Sequence, residues 1–133
     1  MTMALAPAAA IPQGSWERVN VPTESFLRSV VFTDSLHGWA AGNGGAIIHT
    51  SDGGDTWTLQ ESGTTNDIAD LFFLDSLHGW ASSVTYTVTP YGTVLLKPTD
   101  GGEEWTQIPY PEENIFINCI LWLDSLHGWM GGS

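Results

Sequence analysis

Three short apolar runs, Val30-Val31-Phe32, Leu71-Phe72-Phe73-Leu74 and Ile120-Leu121-Trp122-Leu123, each run into Asp-Ser-Leu-His-Gly-Trp, at 34–39, 75–80 and 124–129. The copies begin 41 and 49 residues apart (34 to 75, 75 to 124). A second motif alternates with the first: Thr50-Ser51-Asp52-Gly53-Gly54-Asp55-Thr56-Trp57, then Pro98-Thr99-Asp100-Gly101-Gly102-Glu103-Glu104-Trp105. Self-similarity at such a period marks a repeat architecture. The first unit parses into strands a (Arg28 to Thr33), b (Gly38 to Gly42), c (Ala46 to Thr50) and d (Thr56 to Gln60). Asn43-Gly44-Gly45 turns b into c, because Gly and Asn accept the positive φ of tight turns. Asp52-Gly53-Gly54 turns c into d, with the Asp carboxylate placed to accept backbone N–H bonds. Four short antiparallel strands in each 41–49-residue unit is the period of a β-propeller blade.

Laid along the chain, this pattern predicts a lone strand d over 15–21, a blade over 28–60, a second over 68–107, and a half blade over 115–133. The fold class is therefore all-β: four-stranded antiparallel propeller blades, about two and a half of them. The second unit is longer between its strand-b and strand-d tryptophans. The extra residues, Ala81 to Gly92, alternate Val84, Tyr86, Val88 against Thr85, Thr87, Thr89. They predict an extended b–c hairpin turning at Pro90-Tyr91-Gly92. Inserts in repeat proteins map to loops, often on the binding face, which makes Tyr86 and Tyr91 the candidate binding residues.

Composition narrows the function classes. Fifteen acidic residues against three basic ones give a net charge of −12 over 133 residues. Arg18, Arg28 and Lys97 cannot build a phosphate-neutralising track, so nucleic acid is not an expected partner. With 42% hydrophobic residues and seven Trp, disorder is excluded. Residues 1–14 are Ala- and Pro-rich, without the basic start or unbroken apolar core of a secretory signal, and read as a flexible leader. No run approaches the roughly 18 apolar residues of a spanning helix.

The candidate chemistry resolves mostly into structure. His37, His78 and His127 occupy one position in successive units, so they read as polar turn residues rather than converging metal ligands, and no metal or cofactor is expected. Asp52 and Asp100 sit in turns with too few oxygens for calcium. Cys119 alone forms neither a disulfide nor a thiolate site and reads as a small buried residue of its strand. Trp39, Trp80 and Trp129 in strand b, and Trp57 and Trp105 opening strand d, read as inter-blade core. Asp34, Asp75 and Asp124 are structural members of the repeat.

The second motif resembles the Asp box, Ser/Thr-x-Asp-x-Gly-x-Thr-Trp, of BNR- and sialidase-type propellers. Its structural residues here are Asp52, Gly54, Trp57 and Asp100, Gly102, Trp105. Combined with the preceding apolar strand and the His-Gly-Trp strand, the pattern resembles the photosystem II stability and assembly factor family, from about Trp16 onward. That resemblance implies a ring of roughly seven blades, an extracytoplasmic location, and a non-catalytic scaffold that binds a protein during membrane-complex assembly in photosynthesis. The alternative is a fragment of a secreted carbohydrate-active propeller. Sialidases grip substrate with three arginines and this chain has two, and Tyr86, Tyr91 and Tyr110 have no evident nucleophile setting, so no enzyme is expected. The second box departs from the motif at Pro98 and Glu104 and should bond its turn less completely. Trp16 stands where a box Trp would, but the Asp and Gly pair before it are missing. An incomplete ring implies either a fragment or copies that assemble, and open blade edges predict self-association.

Overall fold

The computed structural model describes residues 2–4, 16–87 and 89–133, with the backbone alone for residues 2–4. The strands are β1 (Thr2–Ala4), β2 (Arg18–Asn20), β3 (Leu27–Phe32), β4 (Gly38–Gly42), β5 (Ile47–Thr50) and β6 (Thr58–Gln60), then β7 (Asp67–Phe73), β8 (Gly79–Thr85), β9 (Gly92–Pro98), β10 (Trp105–Pro109), β11 (Ile117–Trp122) and β12 (Gly128–Gly132). Neighbouring strands pair antiparallel in the orders β3-β4-β5-β6, β7-β8-β9-β10, β11-β12 and β1-β2. Two complete blades are thus followed by half a blade and preceded by a strand pair. Residues 1 and 5–14 of the expected leader, and residue 15 of the expected strand d, lie outside the described residues. Thr2–Ala4, also placed in that leader, pair with β2.

The repeat is visible in the geometry. In each of β3, β7 and β11 the register slips by one residue, at Leu27/Ser29, Ile68/Asp70 and Ile117/Cys119. Such a bulge increases the local twist of the strand. The last residue of each of these strands is a large aromatic, Phe32, Phe73 or Trp122, lying over a glycine on its partner strand. A Cβ at Gly38, Gly79 or Gly128 would meet those rings at 2.7, 2.7 and 2.5 Å, so the ring and the glycine are selected together.

The main core lies between the two blades. Trp39, Ala41 and Ile47 of the first face Ile68, Leu71, Phe73, Ala81, Leu96 and Trp105 of the second, all buried. A smaller cluster, Ala40, Ile48 and Trp57, forms on the first blade's other face, against Val19, Val21 and Leu27. At the inner strands, Asp70 ties three units together. It accepts from Ser29 Oγ (2.6 Å) and from the Ile120 amide (3.0 Å).

Three expectations need correction. Trp80 is only half-buried and Trp129 is 57% exposed, because the side of each that a following blade would cover is wholly or partly open. Cys119 is exposed for the same reason. The insert pairs Thr85 with Gly92 and no further. Tyr86 and Tyr91 therefore lie in the connecting loop rather than on alternating strand faces, and Val88 lies outside the described residues.

Candidate functional site

The two ends of the blades differ in chemistry. One end carries the Asp boxes and the Asp-Ser-Leu-His turns. In the first box, Asp52 accepts from the Thr56 amide (2.8 Å), Thr56 Oγ1 (2.5 Å) and Thr50 Oγ1 (2.7 Å), and Thr50 Oγ1 accepts from the Gly54 amide (2.9 Å). These bonds, led by the Thr56 hydroxyl, hold the Asp52 carboxyl down at about 2. In the second box Asp100 accepts from the Glu104 amide (3.0 Å). Pro98 and Glu104 supply no hydroxyls, so the bonds made by Thr50 and Thr56 have no counterpart there. The turn keeps its shape nonetheless, with Gly53 and Gly54 at φ 75° and 96°, and Gly101 and Gly102 at 75° and 98°. Each box tryptophan donates its indole N–H inside its own turn, Trp57 to Gly54 (3.1 Å) and Trp105 to Gly102 (3.0 Å).

The histidine turns repeat almost atom for atom. His37, His78 and His127 place Nδ1 2.9 Å from Asp34, Asp75 and Asp124. The same carboxylates accept the backbone amides of Leu36 and His37, Leu77 and His78, and Leu126 and His127. Asp34 is held at about 2, first by the His37 amide. Asp75 and Asp124 are lowered first by the amides of Leu77 and Leu126. Each histidine is thus engaged within its own turn, and among the described residues no group of three or more His, Cys, Asp or Glu could hold a metal.

The opposite end is built from the b–c and d–a connections, and there the two complete blades enclose a groove of about 830 Å³. Thr64, Thr65 and Asn66 of the β6–β7 loop line one part, Thr89 and Pro90 of the insert another, and Gln107 of β10 a third. The first blade's b–c turn is locked against that β6–β7 loop. Gly45, at φ 75°, lies so close that a Cβ would meet Thr64 O at 1.9 Å. Gly44 donates its amide to Asp67 (2.9 Å), and Arg28 bridges Asn43 (2.5 Å) and Asp67 (3.4 Å). Gln107 Nε2 donates to Gly63 O (2.5 Å), joining the outer strand of one blade to the loop of the other. Hydroxyls, amides and backbone groups share the lining with the apolar side chains of Ala46, Leu59, Pro90, Val94 and Pro109, and Glu61 is its one carboxylate among the described residues. Two-carboxylate glycoside chemistry has no pair to work with there.

The candidate tyrosines face elsewhere. Tyr86 stacks on Phe116 with ring centroids 4.7 Å apart, and Tyr91 O accepts the Asn114 amide (2.9 Å). Both belong to the insert that bounds the groove, yet they contact the segment leading into the half blade. The groove residues escaped the sequence reading because Thr64, Asn66 and Gln107 carry no motif and are ordinary loop and edge residues.

Similarity to known proteins follows the same geometry. The profile of the family described as Photosynthesis system II assembly factor YCF48 matches residues 8–114. The chloroplastic photosystem II stability/assembly factor HCF136 of Cyanidioschyzon merolae is 44% identical over 55 residues, 39% of this chain and 13% of that protein. The photosystem II assembly protein Ycf48 of Thermosynechococcus vestitus is 39% identical over 54 residues, 38% of this chain and 16% of that one. A solved structure of YCF48 bound to a D1 peptide superposes with a TM-score of 0.72 at 27% identity, covering 91% of this chain and 38% of that one. YCF48 from Cyanidioschyzon merolae gives 0.69 at 26%, covering 88% and 37%. The chain therefore spans well under half the length of these relatives.

Proposed function

The chain belongs to the YCF48 family of photosystem II assembly factors, and from that premise we propose that it is a non-catalytic scaffold holding an extended polypeptide segment of a membrane-complex subunit during assembly. The observation that carries this reading is the groove between the two complete blades, whose lining sets neutral hydroxyls, amides and backbone groups beside apolar side chains such as Leu59, Pro90 and Val94. An extended peptide presents alternating N–H and C=O groups, and a wall of neutral donors and acceptors satisfies them without selecting charge. The volume falls within the usual range for ligand sites, roughly 300–1,000 Å³. Glu61 in the lining and the net charge of −12 favour a neutral or basic segment over an acidic one. Tyr86 and Tyr91 brace the insert that forms one wall, which gives them a supporting part in binding.

The test is fluorescence anisotropy with a labelled D1 peptide, its scrambled counterpart and two forms of the 133-residue chain. The wild type should bind the D1 peptide in preference to the scrambled one. Thr65→Trp, an exposed groove position, should weaken binding at least about tenfold, or 1.4 kcal/mol, with the melting temperature unchanged. Equal affinity of wild type and variant would remove the groove from the function.

A further inference from the structure

Four aromatic rings stack in series across the junction between the two complete blades, and we propose that this junction is a pH-sensitive joint, tight while His49 is neutral and loosened when His49 takes a proton. Phe73 of β7 stacks on Trp39 of β4 (centroids 3.9 Å, planes 11°), and Trp39 stacks on His49 of β5 (4.6 Å, 26°). His49 in turn faces His37 of the turn between β3 and β4 (6.3 Å, 15°). His49 stands directly opposite Trp39 in the β4–β5 ladder, so the two side chains share the face turned to the second blade. Trp39 is tied further to that blade by its indole N–H, which donates to Gly101 O (3.2 Å). Every residue of the series lies within the two complete blades.

Nitrogen chemistry makes His49 the sensitive member. Its Nε2 is buried and has no hydrogen-bond partner. A neutral imidazole tolerates this, because it can carry its proton on Nδ1 and leave only a lone pair at Nε2. An imidazolium carries N–H on both nitrogens. Protonation therefore creates a buried donor that nothing accepts, on a group whose charge has left water. Gln60 Oε1, also buried in this junction without a partner, makes no bond to it.

The surrounding groups do not offset that cost. β4 and β6 set Trp39 and Thr58 opposite His49, and neither titrates there. The turn before β4 brings His37 with Asp34, whose carboxylate is taken up by the His37 ring and two amides. The box of the same blade brings Asp52, bonded to Thr50 and Thr56, with Asp55 at its exposed tip. From the second blade come Asp75, bonded to His78 and the Leu77 amide, and Asp100, bonded to the Glu104 amide. Burial is the first influence on His49 and the charge of His37 the second, and both hold it below its ordinary 6.5. The Trp39 face attracts a cation, which offsets only part of the lost hydration.

A histidine less basic in the folded chain than in the unfolded one costs stability as pH falls below about 6.5, because the unfolded chain takes the proton first. That loss falls on the seat of Trp39. The groove lies between the same two blades, so a loosened joint weakens its hold on a bound segment. This consequence rests on the proposed function, whereas the joint itself does not.

Thermal unfolding and indole N–H exchange by NMR, at about pH 7.5 and about pH 5.5 and without any peptide, test the joint alone. Carboxylates with ordinary values near 4 stay ionised across this window. His49→Phe keeps a ring on Trp39 and cannot take a proton; His49→Gln keeps a polar atom and cannot either. The melting temperature of each variant, relative to wild type at the same pH, should rise by at least about 3 °C from the higher pH to the lower. In the wild type, the Trp39 indole N–H should lose protection at least about threefold relative to that of Trp57, which bonds Gly54 O within its own turn and serves as reference. A melting difference that stays constant or shrinks in acid would overturn the proposal. So would an unchanged ratio of Trp39 to Trp57 protection, since any loss in acid would then lie elsewhere than at this joint.

Discussion

Trp39 and Trp80 hold one position in consecutive blades, yet they meet different surroundings. Trp39 is 1% exposed, stacked between Phe73 (3.9 Å) and His49 (4.6 Å), and its indole N–H donates to Gly101 O (3.2 Å) in the following blade's box. Trp80 has the matching aromatic in Trp122 and, in place of His49, Lys97 with its ammonium 5.3 Å from the ring centroid. No box covers it, and a small cleft of about 150 Å³ opens beside it, lined also by Leu74 and Leu77. The difference shows how a repeat protein divides its stability: sequence equivalence fixes which residue faces the junction, while the neighbouring unit decides how much burial that residue gains.

The largest expected effect breaks the closed junction. Trp39→Ala should cost about 3–5 kcal/mol, the usual range for a core aromatic. Trp80→Ala should cost about 1–2 kcal/mol, nearer the centre of the mutational distribution. Urea titrations of both, with unchanged slopes, measure the two values. Equal costs would mean that the box turn contributes nothing to sealing Trp39.

Gly102→Ala attacks the same junction from its other side. Its φ of 98° disfavours any side chain, and a Cβ would meet Gln60 Oε1 at 2.7 Å and Trp39 Nε1 at 3.1 Å. Strain of this kind costs about 1–3 kcal/mol. Because the added methyl presses on Trp39 itself, the double variant with Trp39→Ala should lose less than the sum of the single losses. Additive losses would show that the turn and the indole act independently.

Much of this architecture was legible in the sequence, for reasons that also mark where legibility stops. The strands of both blades were readable because Asn43-Gly44-Gly45 and the two Asp-Gly-Gly boxes punctuate them, and positive-φ turns leave few alternatives to Gly and Asn. The weaker second box was readable because Pro98 and Glu104 visibly lack the hydroxyls that Thr50 and Thr56 provide. Burial of Trp80 and Trp129 was not readable from their position, since it depends on whether a further blade lies against them. Nor was the groove, which gathers residues from the β6–β7 loop, the insert and β10. Only blade packing brings those segments together.

The two boxes sharpen the comparison through pH. Asp52 and Asp34 lie at about 2, below the ordinary carboxylate value of 3.8. A carboxyl that is more acidic in the folded chain adds stability fully present above the unfolded value and lost as pH falls through the folded one. Melting temperature should therefore decline between about pH 4 and about pH 2. Asp52→Asn, which removes the charge that the Thr50 and Thr56 hydroxyls serve, should lower the melting temperature at pH 7 and flatten part of that decline. It should also lower the melting temperature more than Asp100→Asn, whose carboxylate accepts the Glu104 amide without the two hydroxyl bonds. A larger fall for Asp100→Asn would mean that the hydroxyl bonds of the first box do not stabilise its turn.

The smallest expected effect concerns the insert, where the aromatic residues differ from the repeat tryptophans in kind. Tyr86 is 59% and Tyr91 42% exposed. Tyr86 contributes a stacked ring against Phe116, and Tyr91 contributes a backbone carbonyl to Asn114, a bond that survives removal of its side chain. An aromatic pair adds about 0.5–1.5 kcal/mol beyond area burial, less where both rings meet water. Tyr86→Ala should therefore cost about 1 kcal/mol or less, and Tyr91→Ala still less. The asymmetry between them is the informative part. If Tyr91→Ala proved the costlier change, its ring rather than its carbonyl would hold the insert against residues 114–116. The insert would then belong with Trp39 as core, and its role as a supporting wall of the groove would be lost.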